Sequence, residues 1–186
     1  TIILGPTTAS MFKINNIYYY QYIDNYLLIF LSPDVTSGKY LTEISAQQLS
    51  WLEETLASNK TKPTLIFFHA PLAGTLAQYN KEVNTPNFIA QPEKQLHNLL
   101  IKNPQILLWV SGHTHTPATN PSFDETINLY EGKILDLHNP TLDGKIIWTN
   151  SIYLYPDKIF IRTFNHKTGE FVESLDRTLP VNLTVK

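Results

Sequence analysis

The sequence predicts an α/β fold, a portion of a layered sandwich with a β-rich carboxyl-terminal tail, and three observations carry that expectation. Two short, continuous apolar runs, residues 64–69 and 105–110, are bounded by turn signals, as strands covered on both faces are. Amphipathic helical patterns separate the runs, giving a strand, helix, strand, helix, strand order over the first 115 residues, the order that layers helices on a sheet. From residue 127 onward the pattern changes to short strands. No repeat, low-complexity stretch or linker interrupts the 186 residues, so a single domain, or most of one, is expected. Residues 1–117 form its α/β portion and 118–186 its tail.

Each element has a local reason. Residues 14–23 and 26–31 are rich in Tyr, Ile and Leu and flank Asp24-Asn25, a pair that tolerates the left-handed backbone of a tight hairpin turn. Ser45 precedes Gln48 at capping-box spacing, and Leu49, Leu52 and Leu56 follow at helical intervals beside Trp51, so a helix is expected over 45–58. The strand at 64–69 puts His69 at its carboxyl end. Residues 70–90 carry Pro71, Gly74 and Pro86 without clear periodicity and predict a long loop, the kind that often serves as a functional lid. Pro92 opens a second helix through Leu96, Leu99, Leu100 and Ile101, closed before Pro104. The strand at 105–110 leads into Ser111-Gly112-His113-Thr114-His115. In the tail, strands are expected at 134–137, 145–149, 152–155 and 158–164, with a turn through 165–169 before 170–173.

Composition excludes several classes. With 42% hydrophobic and 12% aromatic residues the chain buries a real core and is not disordered. Fourteen Lys and Arg stand against sixteen Asp and Glu, with no dominant basic block, so no duplex nucleic acid is expected as a partner. No run of 18 apolar residues exists, and no transmembrane segment is expected. The absence of cysteine removes disulfides and thiolate chemistry, so any bound metal rests on His, Asp, Glu or Asn. The sequence opens on Thr1 without a signal-like region and reads as an excised portion or a processed product.

Three of the six histidines, His69, His113 and His115, fall at or just past the carboxyl ends of predicted buried strands, where open α/β sheets place their ligands. A single strand-end histidine is ordinarily satisfied by hydrogen bonds alone. Two independent strand ends supplying the same residue type are a stronger signal, because neutral imidazole is the commonest side-chain metal ligand. Gly112 is expected to permit the sharp turn that aims His113 and His115 into one site.

On Ile66-Phe67-Phe68-His69-Ala70-Pro71 and Ser111-Gly112-His113-Thr114-His115 the sequence resembles the calcineurin-like metallophosphoesterase superfamily. Its last two motifs are a histidine ending a hydrophobic strand, often with a proline two places on, and a Gly-His-x-His turn after the next core strand. Tyr18-Tyr19-Tyr20, Leu31-Ser32-Pro33-Asp34 and Leu41-Thr42 before the first helix are similar as well. The resemblance implies a layered α/β/β/α sandwich and hydrolysis of phosphomonoesters or phosphodiesters by water activated between two divalent metals, Mn, Fe or Zn. By motif position it implies His69 and His113 as ligands of one metal and His115 of the other.

The sequence also departs from that pattern. The first three family motifs, an Asp-x-His, a Gly-Asp-x-x-Asp and an Asn-His-Asp/Glu, belong before Tyr18, and the residues there include neither Asp nor His. Missing with them are the bridging aspartate, the asparagine of the second metal and the histidine that protonates the leaving group. No catalytic residue is therefore expected within this chain, which alone is expected to bind one metal or none and to be inactive. A missing amino-terminal segment, or self-association, is expected to complete it. The alternative is a non-catalytic protein-binding or structural module built on the same sandwich, against which the three retained imidazoles argue. A metallo-β-lactamase-type hydrolase is weaker, because Thr116-Pro117 follows His115 where that class carries Asp-His.

Tyr79 and Asn80, in the long loop, are expected to contact a small phosphate-ester substrate, by position alone. Asp136-Leu137-His138 is itself an Asp-x-His, but neither companion motif follows it, so both residues read as ordinary loop residues. His97 and His166 read as solvated. The tyrosines 18, 19, 20, 22 and 26 are expected to pack in a sheet rather than stack a base. Asn59-Lys60-Thr61 and Asn182-Leu183-Thr184 match the glycosylation acceptor and are given no role.

Overall fold

A strand whose apolar residues run without alternation needs cover on both faces, and β2 (Tyr26–Phe30) and β3 (Thr64–Phe67) receive it. The computed structural model describes residues 17–35, 37–123, 126–140, 142 and 147–181. A six-stranded sheet runs in the order β1 (Tyr19–Ile23), β2, β3, β4 (Ile106–Ser111), β6 (Ile134–His138) and β5 (Leu129–Tyr130). β2, β3, β4 and β6 are parallel neighbours, while β1 and β5 pair antiparallel at the two ends. The β1–β2 hairpin turns on Asp24 at φ 50°, as the Asp-Asn pair predicts. Residues 14–16 of that expected strand lie outside the described residues.

Both faces of this sheet are dry. On one, α1 (Ala46–Ala57) and α2 (Glu93–Ile101) bring Leu52, Leu56, Leu96 and Leu100 onto Leu27, Ile29, Ile66 and Trp109. On the other, Leu28, Leu65, Leu108, Leu135 and Leu137 meet Ile159 and Ile161 of a second sheet. That sheet runs β10 (Arg177–Pro180), β8 (Lys158–Asn165), β7 (Trp148–Leu154), with β9 (Glu170–Phe171) also pairing β8. The result is helices on a mostly parallel sheet on a second, antiparallel sheet. Tyr26 ties the two sheets together, its hydroxyl donating to the Tyr155 carbonyl at 2.6 Å with the Lys158 carbonyl 3.1 Å away.

Local chemistry explains most boundaries. Ser45 caps α1, its Oγ accepting the Gln48 N–H at 3.2 Å. The reciprocal half of a capping box is absent because the Gln48 side chain is used elsewhere. Its Oε1 accepts the Ser32 N–H and its Nε2 donates to the Ser32 carbonyl, both at 2.8 Å, which replaces the strand pairing that ends at Phe30. Among the described residues no helix is long and apolar enough to cross a membrane.

Two expectations are corrected. The strands expected at 145–149 and 152–155 form one strand, β7, because Asn150 and Ser151 pair with Thr163 and Arg162 across a continuous ladder, and Asn150 Oδ1 accepts the Thr163 hydroxyl at 2.8 Å. Residues 145 and 146 lie outside the described residues. Asp136 and His138 are not loop residues: both stand on β6, opposite Trp109 and Ser111, and are 0% and 2% exposed. Polar side chains are tolerated there because both reach the Ser111 hydroxyl and both bond to the loop above them, Asp136 to Leu72 and Thr75 and His138 to the Thr75 carbonyl.

Candidate metal centre

Parallel strands β3 and β4 end side by side, so the residues just beyond them share one rim of the sheet. The Gly112 N–H donates to the His69 carbonyl at 3.0 Å, locking the two chain ends together. On that backbone the imidazoles of His69 and His113 converge: His69 Nε2 lies 2.9 Å from His113 Nδ1, and the ring centroids are 4.6 Å apart. The other nitrogen of His113, Nε2, lies 2.8 Å from the Asn87 carbonyl oxygen. A carbonyl only accepts, so Nε2 carries the proton and Nδ1 presents its lone pair toward His69.

The sharp turn expected from Gly112 is made by the histidines themselves. His113 and His115 have φ of 68° and 50°, while Gly112 has no left-handed conformation. Left-handed backbone is uncommon outside glycine and persists where neighbours hold it. Here the Thr114 N–H donates to the Gly112 carbonyl at 2.8 Å, the Thr114 and Thr116 hydroxyls are 2.7 Å apart, and the Tyr79 hydroxyl donates to the Thr114 carbonyl. Between the two strained residues, Thr114 is therefore anchored on both its backbone and its side chain.

The electrostatics favour the neutral form of both rings. Partial burial lowers the His69 pKa below its ordinary value, with the nearby His113 and His115 adding to the effect. Burial likewise lowers that of His113, partly opposed by the Asn87 carbonyl, with His115 lowering it further. Neutral imidazoles with a shared focus are what a divalent cation requires.

The pair fits such a cation. Two nitrogens at adjacent corners of a near-octahedral site with bonds of about 2.1 Å stand roughly 3.0 Å apart, close to the separation of these rings. A second-sphere carbonyl on the far nitrogen is the usual companion of a ligating histidine. His115 does not join the pair. It is exposed, and among the described residues no three His, Asp or Glu side chains are grouped so as to hold a metal ion.

Tyr79 and Asn80 lie in the loop beside this rim. The Tyr79 hydroxyl is engaged with Thr114, and Asn80 Oδ1 accepts the Glu82 and Val83 N–H groups at 2.9 and 3.0 Å. Asn87 is the functional contact the sequence reading missed. Its contribution is a backbone carbonyl, which leaves no mark in residue type. The carbonyl is aimed by the segment after Gly38: the Leu41 N–H donates to Asn87 Oδ1 at 3.2 Å, and the Thr42 hydroxyl to the Ile89 carbonyl at 2.5 Å. Phe88 covers one side of His113, with ring centroids 5.2 Å apart. His97 sits on α2 with Nδ1 2.9 Å from the Tyr130 hydroxyl.

The fold is similar to the crystal structure of a dimetal phosphatase from Danio rerio, with a TM-score of 0.51 at 18% identity. The match covers 74% of this chain, and the chain spans 38% of that protein's length. No curated protein sequence matches. The calcineurin-like phosphoesterase sequence model matches residues 7–117, more than half of the chain and the stretch that contains all three rim histidines, so the chain belongs to the calcineurin-like phosphoesterase family.

Proposed function

We propose that this chain is the carboxyl-terminal part of a binuclear-metal phosphoesterase that hydrolyses phosphomonoesters or phosphodiesters, and that it supplies one side of the metal centre. The observation that carries the proposal is the pairing of His69 Nε2 and His113 Nδ1 at 2.9 Å with the far nitrogen of His113 committed to a carbonyl. When bound, the two divalent ions of such a centre, Mn, Fe or Zn, supply an activated water and neutralise charge on the phosphoryl oxygens.

The chain's own residues have narrower tasks. His69 and His113 hold one ion as neutral donors, and the Asn87 carbonyl fixes the tautomer of His113 so that its Nδ1 faces the ion. His115, exposed and itself in the left-handed region two residues after His113, is left for the second ion. Tyr79 holds the turn between His113 and His115, and with Asn80 marks the side from which a phosphate ester enters. On this reading the chain binds one ion and has little or no turnover alone. Tyr20, Tyr22 and Ile23 are exposed on β1, an edge of the first sheet among the described residues, and this supports completion by a further segment or by a second copy.

Elemental analysis after loading with manganese, iron or zinc tests the proposal. The expected result is one ion per chain, lost in His69→Ala or His113→Ala. Phosphodiesterase turnover by the pure chain with manganese, abolished by His113→Ala, would contradict the expected inactivity. A chain that retains no ion favours the protein-binding module instead.

A further inference from the structure

We propose that Asp136 is a positioning residue that holds the two histidine-bearing segments in register, an inference that rests on the assignment of His69 and His113 to one metal. Its carboxylate is fully buried on β6, yet it touches both segments. Oδ2 accepts the Leu72 N–H at 2.7 Å and lies 2.8 Å from the Thr75 hydroxyl, both in the loop that begins at His69. Oδ1 accepts the hydroxyl of Ser111 at 2.6 Å, two residues before His113. One side chain therefore joins the start of the long loop to the start of the Gly-His-x-His turn.

The neighbours reinforce the same two segments. His138 Nε2 donates to the Thr75 carbonyl at 2.9 Å, and its Nδ1 lies 3.2 Å from Ser111 Oγ. Trp109 Nε1 donates to the Ala70 carbonyl at 3.0 Å, and Asn139 donates its backbone N–H and its Nδ2 to the Ser111 carbonyl, each at 2.9 Å. A carboxylate in the interior is costly to desolvate, and an apolar residue at this position would satisfy packing alone. What an apolar residue does not provide is an acceptor shared by Leu72, Thr75 and Ser111. Rotation of either segment by a fraction of an ångström opens the 2.9 Å approach of the two imidazoles, and the shared acceptor opposes it.

The test uses the 186-residue chain with Asp136→Ala, Asp136→Asn, Thr75→Val, Ser111→Ala and the Thr75→Val/Ser111→Ala pair. Two readouts need no metal: the nuclear Overhauser contact between the His69 and His113 rings, and the exchange rate of the Gly112 amide. The third is affinity for manganese by competition with a chromophoric chelator. In Asp136→Ala the expected results are a lost ring contact, faster Gly112 exchange, and manganese affinity lower by about 10–100-fold with circular dichroism unchanged. Asp136→Asn keeps an oxygen for Leu72 and Thr75 and an amide for Ser111, and is expected to recover all three readouts. Should Asp136→Ala fail to fold, the pair decides: both arms act through one carboxylate, so the double variant is expected to lose less than the sum of the singles. Unchanged ring contact and affinity in a folded Asp136→Ala, or strictly additive singles, would overturn the proposal. A wild-type chain that binds no manganese would sink the metal assignment, and ring contact and amide exchange would still decide the role of Asp136.

Discussion

Asn59 belongs to a glycosylation acceptor match, but its amide is already committed at the end of α1. Nδ2 donates to the Thr55 carbonyl at 2.8 Å, Oδ1 accepts the Tyr22 hydroxyl at 2.8 Å, and the residue is 8% exposed. Asn59→Ala is expected to destabilise the chain by about 1–2 kcal/mol in urea unfolding, because it removes two part-buried hydrogen bonds. Intact mass after secretion from a eukaryotic host is expected to show no glycan at this position. Tyr130 gives a pH signature. Burial, with the Glu131 and Glu93 carboxylates adding, pushes its hydroxyl up to about 12. The ordinary value is about 10, so the folded chain keeps this proton longer than the unfolded one. The contribution is present below pH 10 and is lost as pH rises from about 10 to 12. Urea unfolding of the wild type and Tyr130→Phe is expected to show a gap of about 1 kcal/mol at pH 8, from the lost bond to His97, that closes in that window.

Between elements, Gln48 shows how a side chain on a helix finishes a strand. Gln48→Ala leaves the buried Ser32 N–H and carbonyl without the partners they have at 2.8 Å, and is expected to cost about 2–3 kcal/mol of unfolding free energy. A much smaller loss would mean that water replaces the amide. The same residue marks what the sequence discloses about elements. The spacing from Ser45 to Gln48 locates the start of α1, because capping is local chemistry. The destination of the Gln48 side chain is Ser32, sixteen residues earlier and just past the end of β2, and spacing carries no such information. β7 is a second example. Asn150-Ser151 reads as a break by composition, but pairing with Thr163 and Arg162 overrides the weak local preference.

At the scale of the molecule, the parallel sheet was legible because its strands, covered on both faces, read as continuous apolar runs. The site was legible in part: His69, His113 and His115 end those strands, and parallel neighbours bring strand ends to one rim. The pairing of His69 with His113 was implied by the family resemblance, whereas the exposure of His115, the Asn87 carbonyl and the burial of Asp136 were not legible. Each depends on backbone geometry or on contacts between distant segments, which residue type does not encode. The packing of the second sheet on the first rests partly on Tyr26, and Tyr26→Phe is expected to lower stability by about 1 kcal/mol while leaving metal binding unchanged. The central claim is that His69 and His113 present two neutral nitrogens to one divalent ion. Manganese titration of the wild-type chain beside His69→Ala and His113→Ala, read as ions bound per chain and as affinity, tests it most directly. The expected result is one ion bound by the wild type and none retained by either variant. An ion bound equally by all three chains, or none bound by the wild type, would contradict it.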